Sequence, residues 1–268
     1  MATPTRVFLT GASAGIGLAT ARALCQSGCE VWGTSRDLAR LPRDLVGFHP
    51  LELSLKDPDS IRAAWTHGRA ESGGFEVVIN NAGDGWFASV ADVPIEKVRA
   101  QFETLIFGPL QIIQLALPDL RANRGLLINV TSLAARLPIP YMAAYSAAKA
   151  SLASLTSTLR LELAGSGVRV VDLQPGDIQT NFNDAMQAPT EERARAAWDA
   201  MAESMSTAPG PEIVAGEICR LLSSSASPPP RVVGNFLQSK LAPLAVRFLP
   251  ARWVERILLS HYRQRRKL

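Results

Sequence analysis

Short apolar runs alternate with helix-spaced segments along this chain of 268 residues. The runs at 6–10, 29–34, 75–80, 126–130 and 168–173 are nearly continuous in apolar residues. A weaker run lies at 47–51 and a short last one at 231–234. Between them, 15–27, 58–71, 94–120, 143–164 and 211–223 have helical spacing, with Pro109 and Pro118 expected to bend or end the third of these. Strands apolar on both faces, interleaved with helices, predict an α/β fold built on a parallel sheet with helices on both sides. A hydrophobic content of 47% suits one large domain, assigned to residues 1–235.

The rhythm breaks after Pro175. Residues 177–210 are polar, rich in Met and helical in places, and read as a mobile insertion on the substrate side, a lid. Residues 236–268 form an apolar and basic C-terminal extension expected to be helical. Net charge is +4, and residues 247–268 concentrate Arg247, Arg252, Arg256, Arg263, Arg265, Arg266 and Lys267 against one acid, Glu255. The basic excess belongs to the tail, not to a groove across the fold, so nucleic acid is not an expected partner. Cys25, Cys29 and Cys219 lack the second Cys/His cluster a metal site would need. They read as buried thiols in a reducing cytoplasm. The N-terminus lacks a signal-peptide pattern, and no apolar run is long enough to span a bilayer.

The first run leads into Thr10-Gly11-Ala12-Ser13-Ala14-Gly15-Ile16-Gly17, which opens a helix. Glycines there let the backbone approach a pyrophosphate, and a helix N-terminus favours its negative charge. A turn that only packs helix on strand is the alternative. The end of the second strand separates NAD from NADP sites, an acid serving the first and Arg the second. Here Gly33-Thr34-Ser35-Arg36 offers Arg36 to a 2′-phosphate with Ser35 assisting, and Asp37 starts the next turn. That reading favours NADP(H).

Tyr145 and Lys149 are four apart, one turn along one face of a helix. A lysine held near a phenol favours the phenolate, so the Tyr145 pKa is expected to fall toward neutral and suit proton transfer at an alcohol or carbonyl oxygen. Ser132, at the end of an apolar run, can hold the same oxygen. Taken singly, Tyr145 reads equally as a core aromatic, Lys149 as a snorkelling surface residue and Ser132 as a turn residue.

Together these residues resemble the short-chain dehydrogenase/reductase family in its single-domain branch. The matching motifs are Thr10 to Gly17, Asn80-Asn81-Ala82-Gly83, Ser132, Tyr145-x-x-x-Lys149 and Pro175-Gly176-Asp177-Ile178-Gln179-Thr180, in family order from Arg6 to about Asn183. The resemblance implies a Rossmann-type, doubly wound, seven-stranded parallel sheet with the cofactor across the strand ends. It implies catalysis by Ser132, Tyr145 and Lys149, with Tyr145 as acid/base and Lys149 also on the nicotinamide ribose. Cofactor binding falls to Gly11, Ser13, Gly15, Ile16, Gly17, Arg36, Ser54, Asn81, Gly83, Tyr145, Lys149, Ile178 and Thr180. Asn81 and Gly83 would line the adenosine side, and Ile178 and Thr180 would meet the carboxamide and phosphate.

Two positions depart from the family pattern. Leu105 stands where an Asn normally holds a water that links the lysine to solvent, so a proton relay must run differently. Ser54 stands where an Asp often contacts adenine, with Leu55 able to flank the ring.

Trp86, Phe87, Leu133, Pro138, Met142, Phe182 and Met186 are candidate pocket walls. They favour an apolar alcohol, ketone or aldehyde of lipid, steroid or retinoid type. In the tail, Trp253, Ile257, Leu258 and Tyr262 can form one apolar face for an anionic membrane surface. A helix covering the pocket or a subunit interface is the preferred alternative. The family often assembles through the helices at 94–120 and 143–164, so a homo-oligomer is compatible with the sequence. The leading expectation is an NADP(H)-dependent carbonyl reductase. Its rival is a nucleotide-binding regulatory or scaffold protein without turnover, for which Leu105 is the support.

Overall fold

The computed structural model describes residues 3–182, 186, 188–225 and 228–263. Its strands are β1 (Arg6–Leu9), β2 (Glu30–Ser35), β3 (Phe48–Glu52), β4 (Val77–Asn80), β5 (Leu126–Val130), β6 (Arg169–Pro175) and β7 (Arg231–Val233). They form one seven-stranded sheet in the order β3-β2-β1-β4-β5-β6-β7. Every pairing is parallel, for example Phe8 with Trp32 in β2 and with Val78 in β4. The order reverses direction at β1 and β4, the switch point where an open α/β sheet leaves a crevice at its carboxyl ends.

Strand side chains alternate between two cores. Val7, Leu9, Val31, Ile79, Ile128 and Leu173 point to one face. They meet Leu24 of α1 (Gly15–Gln26) and Val214 and Ile218 of α7 (Glu212–Ser223). Phe8, Val78, Leu127 and Val170 point to the other face. There they meet α2 (Pro58–Ser72), α4 (Gly108–Asn123) and α5 (Ala143–Glu162) through Trp65, Ile113 and Leu159. Two buried faces explain why the strands read as continuous apolar runs.

The segment expected as one bent helix is three pieces: α3 (Ile95–Phe102), a π-helical turn at Glu103–Phe107, and α4. Pro109 has no N–H to give the Leu105 carbonyl one α-turn earlier, so the helix widens just before it. Pro118, by contrast, stays inside α4, whose Ile112, Ile113, Ala116 and Leu120 are fully or almost fully buried on the sheet.

The remaining elements are α6 (Glu192–Ser206), a π-helical turn at Leu237–Leu241, α8 (Ala242–Phe248) and α9 (Ala251–His261). A third apolar cluster joins α6 and α9 to the sheet end: Met201 of α6, Leu258 of α9 and Tyr262 pack with Phe87, Met142 and Tyr145. Among the described residues, no helix is long and apolar enough to cross a membrane. Arg265, Arg266 and Lys267 lie outside the described residues, as does Asn183.

Candidate active site

The glycine loop is shaped by contacts that only glycine permits. Gly11 and Gly15 have positive φ, 72° and 51°. A Cβ on Gly17 would collide with the Gly11 carbonyl oxygen and come within 2.6 Å of the Asn81 amide nitrogen. Asn81 uses its side-chain amide to brace the loop. That amide donates to the Thr10 and Gly11 carbonyls at 3.0 and 3.2 Å. Thr10 completes the clamp, its hydroxyl oxygen accepting from the Asn81 and Ala82 N–H groups at 2.9 and 3.0 Å. The end of β1 is thus tied to the end of β4, a function of Thr10 that its position in the motif could have signalled.

The loop fits a pyrophosphate on its own chemistry. α1 begins at Ala14 and Gly15, and among the described residues it has neither a side-chain cap nor an acid in its first turn. Its first N–H groups therefore point toward the crevice with positive dipole. Across the loop, a Cβ on Gly15 would touch Thr180 at 3.2 Å, so Thr180 borders the same slot. Ser13 and Ile16 are half-buried within the loop, and Ile178 is buried beneath it in the first core.

At the end of β2, Asp37 is engaged as a cap, its carboxylate accepting from the Ala39 N–H at 2.9 Å. Ser35 accepts from the Asp37 N–H at 3.1 Å. Arg36 is exposed, and the neighbouring Asp37 carboxylate is turned to its own cap. Ser54 and Leu55 follow β3 on the same side, Ser54 half-buried and Leu55 buried.

Tyr145 and Lys149 lie in α5, and both are buried. The Lys149 Nζ donates to the Val130 carbonyl at 2.8 Å and sits 5.8 Å from the centre of the Tyr145 ring. Two residues beyond Val130, Ser132 caps the short 3-10 turn Leu133–Ala135 and hydrogen-bonds the Tyr145 side chain. The end of β5 therefore aims both partners at Tyr145. A second tie, from the Asn129 side-chain amide to Thr156 at 2.9 Å, anchors α5 to the same strand.

The electrostatics correct the sequence expectation. Burial pushes the Tyr145 phenol up to about 12, and the hydrogen bond from Ser132 offsets only part of this. Burial also brings Lys149 down to about 8, opposed by Asp172 and Asp84. A low-dielectric site penalises both charges, and the Lys149 N–H is engaged by a backbone carbonyl, so the phenol stays protonated. Leu105 is buried in the π turn. A Cβ on Gly83 would lie 3.2 Å from Leu105 and 3.8 Å from the Lys149 Nζ, so Leu105 packs apolar surface beside the lysine.

Of the expected pocket walls, Phe87, Met142, Phe182 and Met186 converge on Tyr145. The Phe182 ring centre is 5.4 Å from that of Tyr145, and Met142, Phe182 and Met186 all close on Gly85. Trp86 is instead covered by Lys97 at 4.6 Å, Pro138 is exposed, and Leu133 is buried outside this cluster. The sequence did not single out Trp198 of α6, which meets Phe87 edge-on at 5.1 Å, or Tyr141, which stacks on Phe87 at 5.5 Å. α6 is tied to the sheet end by Ser204, which hydrogen-bonds Asp177.

Cys25, Cys29 and Cys219 are free thiols on neighbouring elements. Burial raises each, Cys25 to about 11. Among the described residues, no group of His, Cys, Asp or Glu could hold a metal ion. A surface cavity of about 470 Å³ lined by Arg160, Gly165, Gly167 and Arg169 opens at the other end of the sheet and contains none of the site residues.

A doubly wound parallel sheet with an open glycine loop defines a dinucleotide-binding α/β protein, and Ser132, Tyr145 and Lys149 lie together at the same strand ends. The family model described as short chain dehydrogenase matches residues 5–191. The chain belongs to that family of oxidoreductases, which work with a nicotinamide nucleotide on small molecules. It is similar to oxidoreductase BOA17 of Botryotinia fuckeliana, 32% identical over 240 residues that cover 85% of this chain and 88% of that one. A 3-ketodihydrosphingosine reductase of Bacteroides thetaiotaomicron is 35% identical over 183 residues, covering 68% and 66%. Among solved structures, a short-chain dehydrogenase from Streptomyces avermitilis matches with a TM-score of 0.80 and 26% identity, covering 98% and 97%.

Proposed function

We propose that this chain is an NADP(H)-dependent reductase of an apolar ketone or aldehyde, with Tyr145 as the proton donor. The observation that carries the reading is the convergence of Ser132 and Lys149 on a buried, protonated Tyr145 at the crevice end of the sheet. A phenol held near 12 keeps its proton at neutral pH, the state a reduction needs. Ser132 would orient the substrate carbonyl oxygen and share its developing charge. Tyr145 would give its proton to that oxygen as it becomes an alkoxide. Lys149, brought down to about 8, can gain and lose a proton near neutral pH and so help return one to Tyr145.

The nucleotide, when bound, supplies the hydride. The chain's own residues would hold it: the α1 N-terminus and Gly11, Ser13, Gly15, Ile16 and Gly17 at the pyrophosphate, with Ile178 and Thr180 bordering them. Arg36 would take a 2′-phosphate with Ser35 beside it, Ser54 and Gly83 would face the adenosine side, and Lys149 the nicotinamide ribose. Phe87, Met142, Phe182, Met186 and Trp198 favour an apolar substrate. The Bacteroides relative is named as a reductase of 3-ketodihydrosphingosine, a keto compound, which supports carbonyl reduction.

The test is a screen of ketones and aldehydes with NADPH and NADH, followed by cofactor absorbance. Turnover of apolar carbonyls with NADPH preferred supports the reading. Tight NADPH binding without turnover of any carbonyl would favour a nucleotide-binding regulatory protein.

A further inference from the structure

The C-terminal segment presents an apolar face that the fold does not use. Leu237, Leu241, Leu244 and Phe248 follow a spacing of four, three and four, so they share one side of the π turn and α8. They are between 46% and 70% exposed, where an amphipathic surface helix would bury such a stripe. In α9, Leu258 and Tyr262 turn inward and pack near the active site, while Trp253 and Ile257 stay exposed. The apolar face expected from the tail sequence is therefore split, and its outward half continues the character of α8.

Charge says what this face suits. Residues 236–257 carry exposed Lys240, Arg247, Arg252 and Arg256 among the apolar groups against one acid, Glu255. Arg247 lies 5.4 Å from the Phe248 ring and Arg256 5.1 Å from the Trp253 ring, so long basic side chains border the apolar ones. Apolar groups rimmed by cations match the boundary between acyl chains and anionic headgroups. Two copies of the chain meeting on this face would bring cation against cation.

We infer that residues 236–257 form a docking surface for an anionic lipid membrane, which the protein would bind peripherally. The segment is pinned to the active-site end of the sheet. Gln238 donates to Asp177 at 2.6 Å and accepts from its N–H at 3.0 Å, just beyond β6. Docking would therefore hold the crevice end of the sheet close to a lipid surface.

The test is co-sedimentation of the full chain with vesicles of phosphatidylcholine alone or mixed with phosphatidylglycerol, at low and high salt. The expected result is pelleting with the anionic vesicles, weakened by salt, and quenching of Trp253 fluorescence by brominated lipid that is lost in Trp253→Phe. Leu244→Asp with Phe248→Asp should reduce binding about tenfold or more. Lys240→Glu with Arg247→Glu should do the same without touching the apolar groups. Circular dichroism melts would show that both variants remain folded. An absence of wild-type pelleting with anionic vesicles would overturn the inference. So would a dimer in light scattering that Leu244→Asp with Phe248→Asp dissolves while vesicle binding is absent or unchanged.

Discussion

Lys149 reaches the Val130 carbonyl at 2.8 Å while its ammonium stands 5.8 Å from the centre of the Tyr145 ring. The lysine is therefore fixed to the end of β5, the strand that two residues later delivers Ser132. One strand end orients both groups beside a buried phenol. The price is two charges disfavoured by burial, which makes the site visible in the pH dependence of folding.

The sign of that dependence follows from the shifts. Lys149 falls from 10.5 to about 8, so between these values the unfolded chain holds a proton that the folded chain has lost, and stability rises with pH. Tyr145 climbs from 10.0 to about 12, so above pH 10 the folded chain keeps a proton that the unfolded chain gives up, and stability falls. Urea unfolding should show a rise on the order of 1 kcal/mol between pH 8 and 9, before the raised Cys25, Cys29 and Cys219 thiols and then Tyr145 turn the dependence downward. Lys149→Met should flatten it. A rise that persists unchanged in that variant would assign it to other groups.

Two glycines should respond oppositely to alanine. Gly17→Ala places a methyl against the Gly11 carbonyl and the Asn81 amide, and should cost about 1–3 kcal/mol or more along with nucleotide binding. Gly216 is exposed in α7, and a Cβ there would meet nothing within 4 Å. Gly216→Ala should stabilise the chain by about 0.5–1 kcal/mol. Thermal melts of the two variants decide both, and equal shifts would contradict the geometry of the loop.

Arg36 should set cofactor choice. Arg36→Ala removes a charge-assisted contact worth about 1.5–3 kcal/mol, so the KM for NADPH should rise roughly 10- to 100-fold while that for NADH changes little. Equal changes for both cofactors would place the 2′-phosphate elsewhere.

Trp198 should act through the lid. It packs edge-on against Phe87 from α6, so Trp198→Ala should raise the KM for an apolar ketone about tenfold with less effect on kcat. A fall in kcat alone would argue that the aromatic contact has no part in substrate binding.

Much of this was written locally in the chain. The βαβ alternation, the Gly11-to-Gly17 spacing and the Tyr145-Lys149 interval are short-range patterns, so the sheet and the trio could be read directly. Features that depend on contacts between distant segments could not. Asn81 carries a motif residue's identity, yet its amide is directed by Thr10 and Gly11, some seventy positions away. The fall expected for the Tyr145 pKa assumed a lysine free to face the phenol, whereas Lys149 donates to Val130 and depth of burial decides the direction. Leu258 and Tyr262 share helical spacing with Trp253 and Ile257, and only packing against the cluster around Tyr145 separates the inward pair from the exposed one. The π turn before Pro109 had a local cause, since proline cannot donate to residue 105, but the sequence reading placed the bend at Pro109 and Pro118 instead.

The most direct test of the account is Tyr145→Phe, assayed for NADPH oxidation with an apolar ketone the wild type reduces, alongside NADPH binding by fluorescence. The variant keeps the ring that packs against Phe182 and loses only the hydroxyl. The account predicts a fall in kcat of about 10²- to 10⁴-fold with nucleotide affinity preserved. Full turnover in that variant would contradict Tyr145 as the proton donor.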